Sequence, residues 1–352
     1  MLFALFIALL PSAASLAVRA ADMSALAVLD CEMQCNKFRA APAAPPEDAL
    51  AILARAGFST VRLRVWVNPL ANHSEGEPAY VARLAERAAS FGLGVMIDFH
   101  FSDWWADPGH QIKPAAWAAL PFPALVDAVS AHVTAVLSLV RAGANVTHVQ
   151  IGNEISPGLL WPVAGQACTD SGRVEAPCTG NWAALGALVG AGIAAARAAA
   201  PGAQIIVHTE LGNKGANAAA AVQWWYSRLA AALPAGVDYD AIGLSYYMQY
   251  TALGPVGESP LARAVAKDFP GKALLLVETA YPWKASGAPP GPYPASPAGQ
   301  LEFWRDTVGN ASAAGIEGVA YWGGEYSGSW TALFDADYVA LPALLHGFRG
   351  TP

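Results

Sequence analysis

Charge is what this chain has least of. Asp, Glu, Lys and Arg make up 13% of its residues, about half the usual ~25%. Lys and Arg number 20 against 27 Asp and Glu, for a net charge of −7, so no surplus of cations exists to grip a phosphate backbone. Nucleic acid is excluded as a partner. Disorder is excluded as well, because it goes with low hydrophobicity and high net charge, and 55% of this chain is hydrophobic. Long apolar runs are also scarce. Leu2 to Leu10 is unbroken, but Pro11 stops it well short of the roughly 20 residues of a membrane span. A short apolar run followed by small residues reads as a secretory leader, cut after Ser12-Ala13-Ala14 or Val18-Arg19-Ala20. Residues 1–20 are therefore expected to be a leader and 21–352 a single mature domain, secreted, monomeric and without membrane contact. No other segment reads as long enough and apolar enough to cross a bilayer.

Cysteine is sparse too, with four in all. Their spacings match no zinc motif, no His-x-x-x-His is present, and neither metal nor cofactor is expected. An even count behind a leader reads instead as two disulfides. Cys31–Cys35 and Cys168–Cys178 are the simplest of the three pairings. A glycine-rich phosphate loop is the last absence. Asp30-Cys31-Glu32-Met33 follows the first strand candidate, where a doubly wound nucleotide-binding sheet would carry one.

What is present alternates. The strand candidates are Ala25–Asp30, Thr60–Val67, Gly94–Phe99, Val146–Gly152, Gln204–His208, Ala241–Tyr246, Ala273–Glu278 and Gly318–Trp322. Ala-rich helical stretches lie between them. Eight strands alternating with helices, with no change of composition along the chain, predict an α/β fold of one (β/α)8 TIM barrel. The long Pro-, Gly- and Trp-rich segments 100–122, 153–181 and 279–296 all follow strands. In such a barrel they build the C-terminal mouth, where active sites lie.

Two apolar strands end in a carboxylate: Val149-Gln150-Ile151-Gly152-Asn153-Glu154 and Leu274-Leu275-Leu276-Val277-Glu278. Singly, each Glu reads as a solvated strand end. Together, on the fourth and seventh strands, they face each other across the mouth at the ~5 Å separation that a retaining glycosidase requires. One protonates the leaving oxygen and the other attacks the anomeric carbon. A cation is needed to keep the attacking carboxylate ionised, and Arg62 and Arg64 share one face of the second strand, with Arg64 nearer the mouth. His100, Asp103 and His208 are placed to reach sugar hydroxyls. Trp66, Trp105, Trp161, Trp283 and Trp322, at strand ends or in mouth loops, offer flat apolar faces of the kind that sugars stack on.

The chain resembles glycoside hydrolase family 53, the arabinogalactan endo-β-1,4-galactanases. The resemblance rests on Val61-Arg62-Leu63-Arg64-Val65-Trp66-Val67-Asn68-Pro69 and on Ile97-Asp98-Phe99-His100-Phe101-Ser102-Asp103-Trp104-Trp105-Ala106-Asp107-Pro108. Further along it rests on Gly152-Asn153-Glu154-Ile155, Gly158-Leu159-Leu160-Trp161-Pro162, Gly243-Leu244-Ser245-Tyr246-Tyr247 and Val277-Glu278-Thr279. It implies Glu154 as acid/base, Glu278 as nucleophile, and galactan or type I arabinogalactan as the polysaccharide partner. Asn153 would then meet the 2-hydroxyl of the sugar and Tyr246 would orient Glu278. The chain departs from the family pattern at Met248, at Thr209-Glu210 and at Gly323-Gly324-Glu325, which bear on substrate detail rather than on the catalytic pair. Another barrel glycosidase, a mannanase or cellulase, would use the same two acids. A non-catalytic sugar-binding barrel would be expected to lack one of them.

Overall fold

The computed structural model describes residues 16–26, 36–70, 73–163, 168–176, 178–248, 261–285 and 291–348. Its strands are β1 (Val18–Asp22), β2 (Thr60–Val65), β3 (Gly94–Phe99), β4 (Val146–Ile151), β5 (Gln204–Thr209), β6 (Ala241–Ser245), β7 (Ala273–Thr279) and β8 (Gly318–Tyr321). All neighbours are parallel, and β8 closes onto β1. The helices are α1 (Ala49–Ala56), α2 (Pro78–Ser90), α3 (Phe122–Arg141), α4 (Trp182–Ala199), α5 (Ala218–Ala232), α6 (Leu261–Asp268), α7 (Pro297–Ala313) and α8 (Pro342–His346). This is the predicted (β/α)8 barrel.

β1 is the exception to the predicted strands. The aliphatic stretch Ala25–Asp30 drew the prediction, and its residues 27–30 lie outside the described ones; the first strand described is Val18–Asp22, and Ala25 lies in the turn after it. Tertiary fit overrides propensity here. Val18 and Ala20 are small enough to pack inside the barrel against Met96, Ile206 and Ala320. A leader cut after Ala20 would sever this strand, whereas a cut after Ala14 leaves it whole. Two helices also depart from expectation, because α3 and α4 are long and apolar enough to cross a membrane. In the fold they belong to the helical ring, with α3 burying Leu125, Val129, Val133, Val136, Leu137 and Val140.

The helices start and stop where local chemistry dictates. Asp48 caps α1 by accepting from the Leu50 amide at 2.8 Å, and Gly57 ends it at a φ of 98°, a conformation that glycine adopts without strain. Cys168 and Cys178 are bonded, with Cα atoms 5.2 Å apart, and brace the long loop after β4. Cys31 and Cys35 lie outside the described residues.

Alternation along the strands builds the barrel interior in layers. An apolar floor of small and aliphatic side chains lies beneath a polar layer near the mouth. That polar layer includes Asp22, Arg62, Asp98, Gln150, His208 and Ser245, all buried.

Candidate active site

Glu278 reaches this layer only because β7 breaks its own alternation. Leu275 and Val277 pack inside the barrel, while Leu274 and Leu276 pack outward against the helices. Period two would send Glu278 outward with them. The pairing register shifts between Leu276 and Thr279 on the β8 side, and opposite Leu244 and Ser245 on the β6 side. A bulge of this kind re-aims the side chain, and Glu278 turns into the mouth.

Glu154 gets there by strain. After β4 the chain passes Gly152 at a φ of 84°, and Glu154 itself sits at 50°, a left-handed conformation that costs a non-glycine residue about 1–2 kcal/mol. His208 holds it there. Its Nδ1 accepts from the Glu154 amide at 3.3 Å, and its carbonyl accepts from the Ile155 amide at 3.0 Å. The Ser245 hydroxyl donates to Glu154 Oε1 at 2.5 Å and lies 2.9 Å from His208 Nε2, which therefore carries the hydrogen. Burial, followed by the charge of Arg62, keeps His208 neutral by pushing it well below the usual imidazole range.

Both acids line one pocket of about 540 Å³ at the mouth, with Asn153, Glu210, Tyr247 and Trp322 on its walls. Their surroundings differ. Glu278 Oε1 is 2.9 Å from Nη2 of Arg62, and Oε2 accepts from the Tyr247 hydroxyl at 3.0 Å. Glu154 has a serine hydroxyl and no cation at hydrogen-bond distance. Burial pushes Glu154 well above the carboxylate range, and the charge of Glu278 adds to this. Burial raises Glu278 too, but there Arg62 pulls in the opposite direction. When the pair holds a single proton, Glu154 carries it.

Arg62 is the centre of the layer. Its guanidinium lies 2.7 Å from Asp22 and 2.9 Å from Asp98, and it donates to Gln150 at 3.2 Å and to Asn153 Oδ1 at 2.8 Å. Burial works against ionised Asp98, yet Arg62 and His100 outweigh it and hold that carboxyl below its usual range.

Several residues singled out from sequence occupy other posts. Arg64 was expected beside Glu278. Its guanidinium instead packs on Trp105 and Trp66, 3.7 and 4.4 Å from their ring centroids, two rings that meet edge-to-face. Tyr246 is buried, and its backbone amide donates to the Glu278 backbone carbonyl at 2.8 Å. Its neighbour Tyr247 supplies the hydroxyl. His100 and His208 are buried behind the pocket wall rather than on it. His100 receives the Ala106 amide on Nδ1 at 2.9 Å and bonds Asp98 at 3.0 Å through Nε2. Asp103 lines an adjoining cavity, and its two oxygens accept from the Asn68 and Ala115 amides at 3.0 and 2.8 Å. Asn153, Trp105 and Trp322 do line the pocket. Trp66 is fully buried, and Trp161 is covered by Arg173. Trp283 is tied through its indole nitrogen to Ser329.

Sequence reading passed over Tyr247 and Ser245; of its two candidate cations for Glu278, Arg62 and Arg64, the structure places Arg62 there. Strict period two along β2 and β6 places Arg62 and Ser245 inside the barrel, so that signal was available. It also passed over Glu210, a third carboxyl in the pocket, which Ser156 holds through a 2.5 Å hydrogen bond. Burial raises its carboxyl above the usual range. Among the described residues no group of three or more His, Cys, Asp or Glu is arranged to hold a metal ion.

A (β/α)8 barrel with two unlike carboxylic acids in one mouth pocket, one set against a guanidinium and one without a cation partner, defines a glycoside hydrolase. The comparisons narrow the class. The model of glycosyl hydrolase family 53 matches residues 18–341, and the chain belongs to that family. An arabinogalactan endo-β-1,4-galactanase of Thermothelomyces thermophilus is 33% identical over 296 residues, covering 77% of this chain and 79% of that protein. The solved GH53 catalytic domain of Ignisphaera aggregans superposes with a TM-score of 0.79 at 29% identity, covering 97% of both chains. A solved fungal β-1,4-galactanase also gives 0.79 at 29% identity, over 96% of this chain and 100% of that one.

Proposed function

We propose that this protein hydrolyses β-1,4-galactosidic bonds within galactan and type I arabinogalactan chains, with retention of configuration. Glu154 is the acid/base and Glu278 the nucleophile. The observation that carries this division is the asymmetry of the pair, Glu278 on Arg62 and Glu154 without a cation. Glu278 attacks the anomeric carbon while Glu154 gives its proton to the departing oxygen. Glu154, now ionised, then takes a proton from water, which displaces Glu278 from the same face. Membership of the family and the named galactanase relatives support galactan over mannan or cellulose. Secretion fits the Cys168–Cys178 disulfide, which an oxidising compartment preserves.

The test is reducing-sugar release from purified galactan beside mannan and cellulose, with proton NMR of the first product. Galactan is expected to be cut, with the β-anomer appearing first. An initial α-anomer would overturn the retaining assignment and the role of Glu278. The proton donor is tested separately with Glu154→Ala. Turnover of galactan is expected to fall by about 10²–10⁴-fold, the usual contribution of a positioned acid. An activated aryl galactoside should lose far less, and azide should restore its turnover as the β-galactosyl azide. Equal loss on both substrates would remove Glu154 from the acid/base role.

A further inference from the structure

The catalytic pocket does not end at the two acids. On the β3 side it runs into a second cavity of about 730 Å³, and Trp105, Asp107 and Trp322 line both. Two of the large apolar side chains that the fold leaves exposed, Trp104 and Ile112, line this one cavity. Large exposed apolar groups gathered in a concavity mark a binding surface. Trp104 is the most telling of them. Its ring neighbours Trp105 at 6.5 Å, and Trp105 neighbours Trp322 at 6.2 Å, so contacting indoles lead from the acid pocket, which Trp105 and Trp322 line, to Trp104 in the second cavity.

The outermost ring is held in place before anything binds. Buried Trp66 backs it at 5.0 Å, and the His73 ring meets it at 3.8 Å. Its carbonyl accepts from the Ser102 hydroxyl, and Asp103 ties the same loop to Asn68 and Ala115. A platform already in place loses little conformational freedom on binding. An apolar face with Asp107 and His110 beside it suits a neutral sugar, which has both an apolar face and hydroxyls.

We infer that Trp104 is a sugar platform for the same galactan chain, beyond the ring being cleaved and towards its non-reducing end, and that it makes the enzyme favour longer chains. The inference rests on the galactanase reading above. Continuity with the catalytic pocket identifies the occupant. The glycone direction is part of the inference, and the substrates below test it.

The test uses nitrophenyl β-1,4-galactosides of two to five sugars, whose fixed leaving group lets each added sugar extend only the glycone side. The readout is the ratio of kcat/KM for the longest substrate to that for the shortest. In Trp104→Ala this ratio is expected to fall about tenfold, with Trp104→Phe keeping most of it and Ile112→Ser lowering it in the same direction. A merely structural role would lower both rates and leave the ratio alone, which would overturn the inference. The inference fails equally if the ratio holds while Trp104→Ala abolishes a concentration-dependent dimer, since the row would then be an interface between copies. Should Trp104→Ala fail to fold, the ratio in Ile112→Ser decides. Wild type that cuts galactan while the ratio stays unmoved in the variants sinks this site alone. Wild type inert on galactan sinks the reading beneath it as well.

Discussion

Glu278→Gln is expected to fold normally and to lose essentially all turnover of galactan, by 10⁴-fold or more on the order seen when a covalent nucleophile is removed. The amide oxygen can stay on the Arg62 guanidinium in place of Oε1, while the amide nitrogen replaces Oε2 and donates to the Tyr247 hydroxyl, which turns to accept it, so the buried layer keeps most of its hydrogen bonds. The amide cannot form a glycosyl ester, and the first of the two displacements has no attacking group. An unchanged unfolding transition with no product over hours is the expected result. A folded variant with more than about one hundredth of wild-type activity would remove Glu278 from the nucleophile role.

Arg62→Lys tests the other half of the arrangement, and its effect reaches both stability and pH dependence. One guanidinium serves Asp22, Asp98, Glu278, Gln150 and Asn153. An ammonium has three hydrogens and no planar fork, so it leaves some of these acceptors unpaired. Breaking part of a buried charge network costs several kcal/mol, with about 3–5 kcal/mol as the scale for removing a whole partner. Urea unfolding should report a fall of at least about 2 kcal/mol on that scale. The pH effect has a definite sign. Arg62 favours ionised Glu278, and a weaker contact lets the proton on at higher pH. The reaction needs Glu278 charged and Glu154 protonated, so the acid limb of the kcat/KM profile should move to higher pH. The alkaline limb, set by Glu154, should move less. An acid limb that stays in place would show that Arg62 does not govern the charge on Glu278.

The barrel was legible because alternating apolar strands and Ala-rich helices leave few other architectures, and seven of the strands lie where periodicity puts them. β1 was not legible. Val18-Arg19-Ala20-Ala21-Asp22 is short and alanine-rich, and what makes it a strand is the space between β8 and β2. The catalytic pair could be read because each Glu closes an apolar run, but the route of Glu278 to the mouth could not. Read by alternation alone, β7 would turn that residue outward, and only the register shift reverses it. The cation was read only as one of two, Arg62 or Arg64. Height along β2 favoured Arg64, but both arginines face inward, and neighbouring Trp rings decide which one is left for Glu278. Tyr246 and Tyr247 differ by one residue, which is a difference of face that a strand end does not specify. Trp104 escaped notice beside Trp105, since a doubled tryptophan does not say which ring stays outside.

The span of the Arg62 contacts ties chemistry to assembly. Asp22 stands on β1, Asp98 on β3, Gln150 on β4 and Glu278 on β7, with Asn153 just past β4. β1 pairs on one side with β2 and on the other with β8, the last strand, which closes the ring. The guanidinium thus gathers partners from the first and the seventh turns of the chain, and it cannot satisfy them until the ring is shut. A nascent chain that has not yet made β8 has its nucleophile but not the seam that completes the cradle around it. The cradle around the nucleophile is therefore a product of the closed ring and not of any single pair of strands.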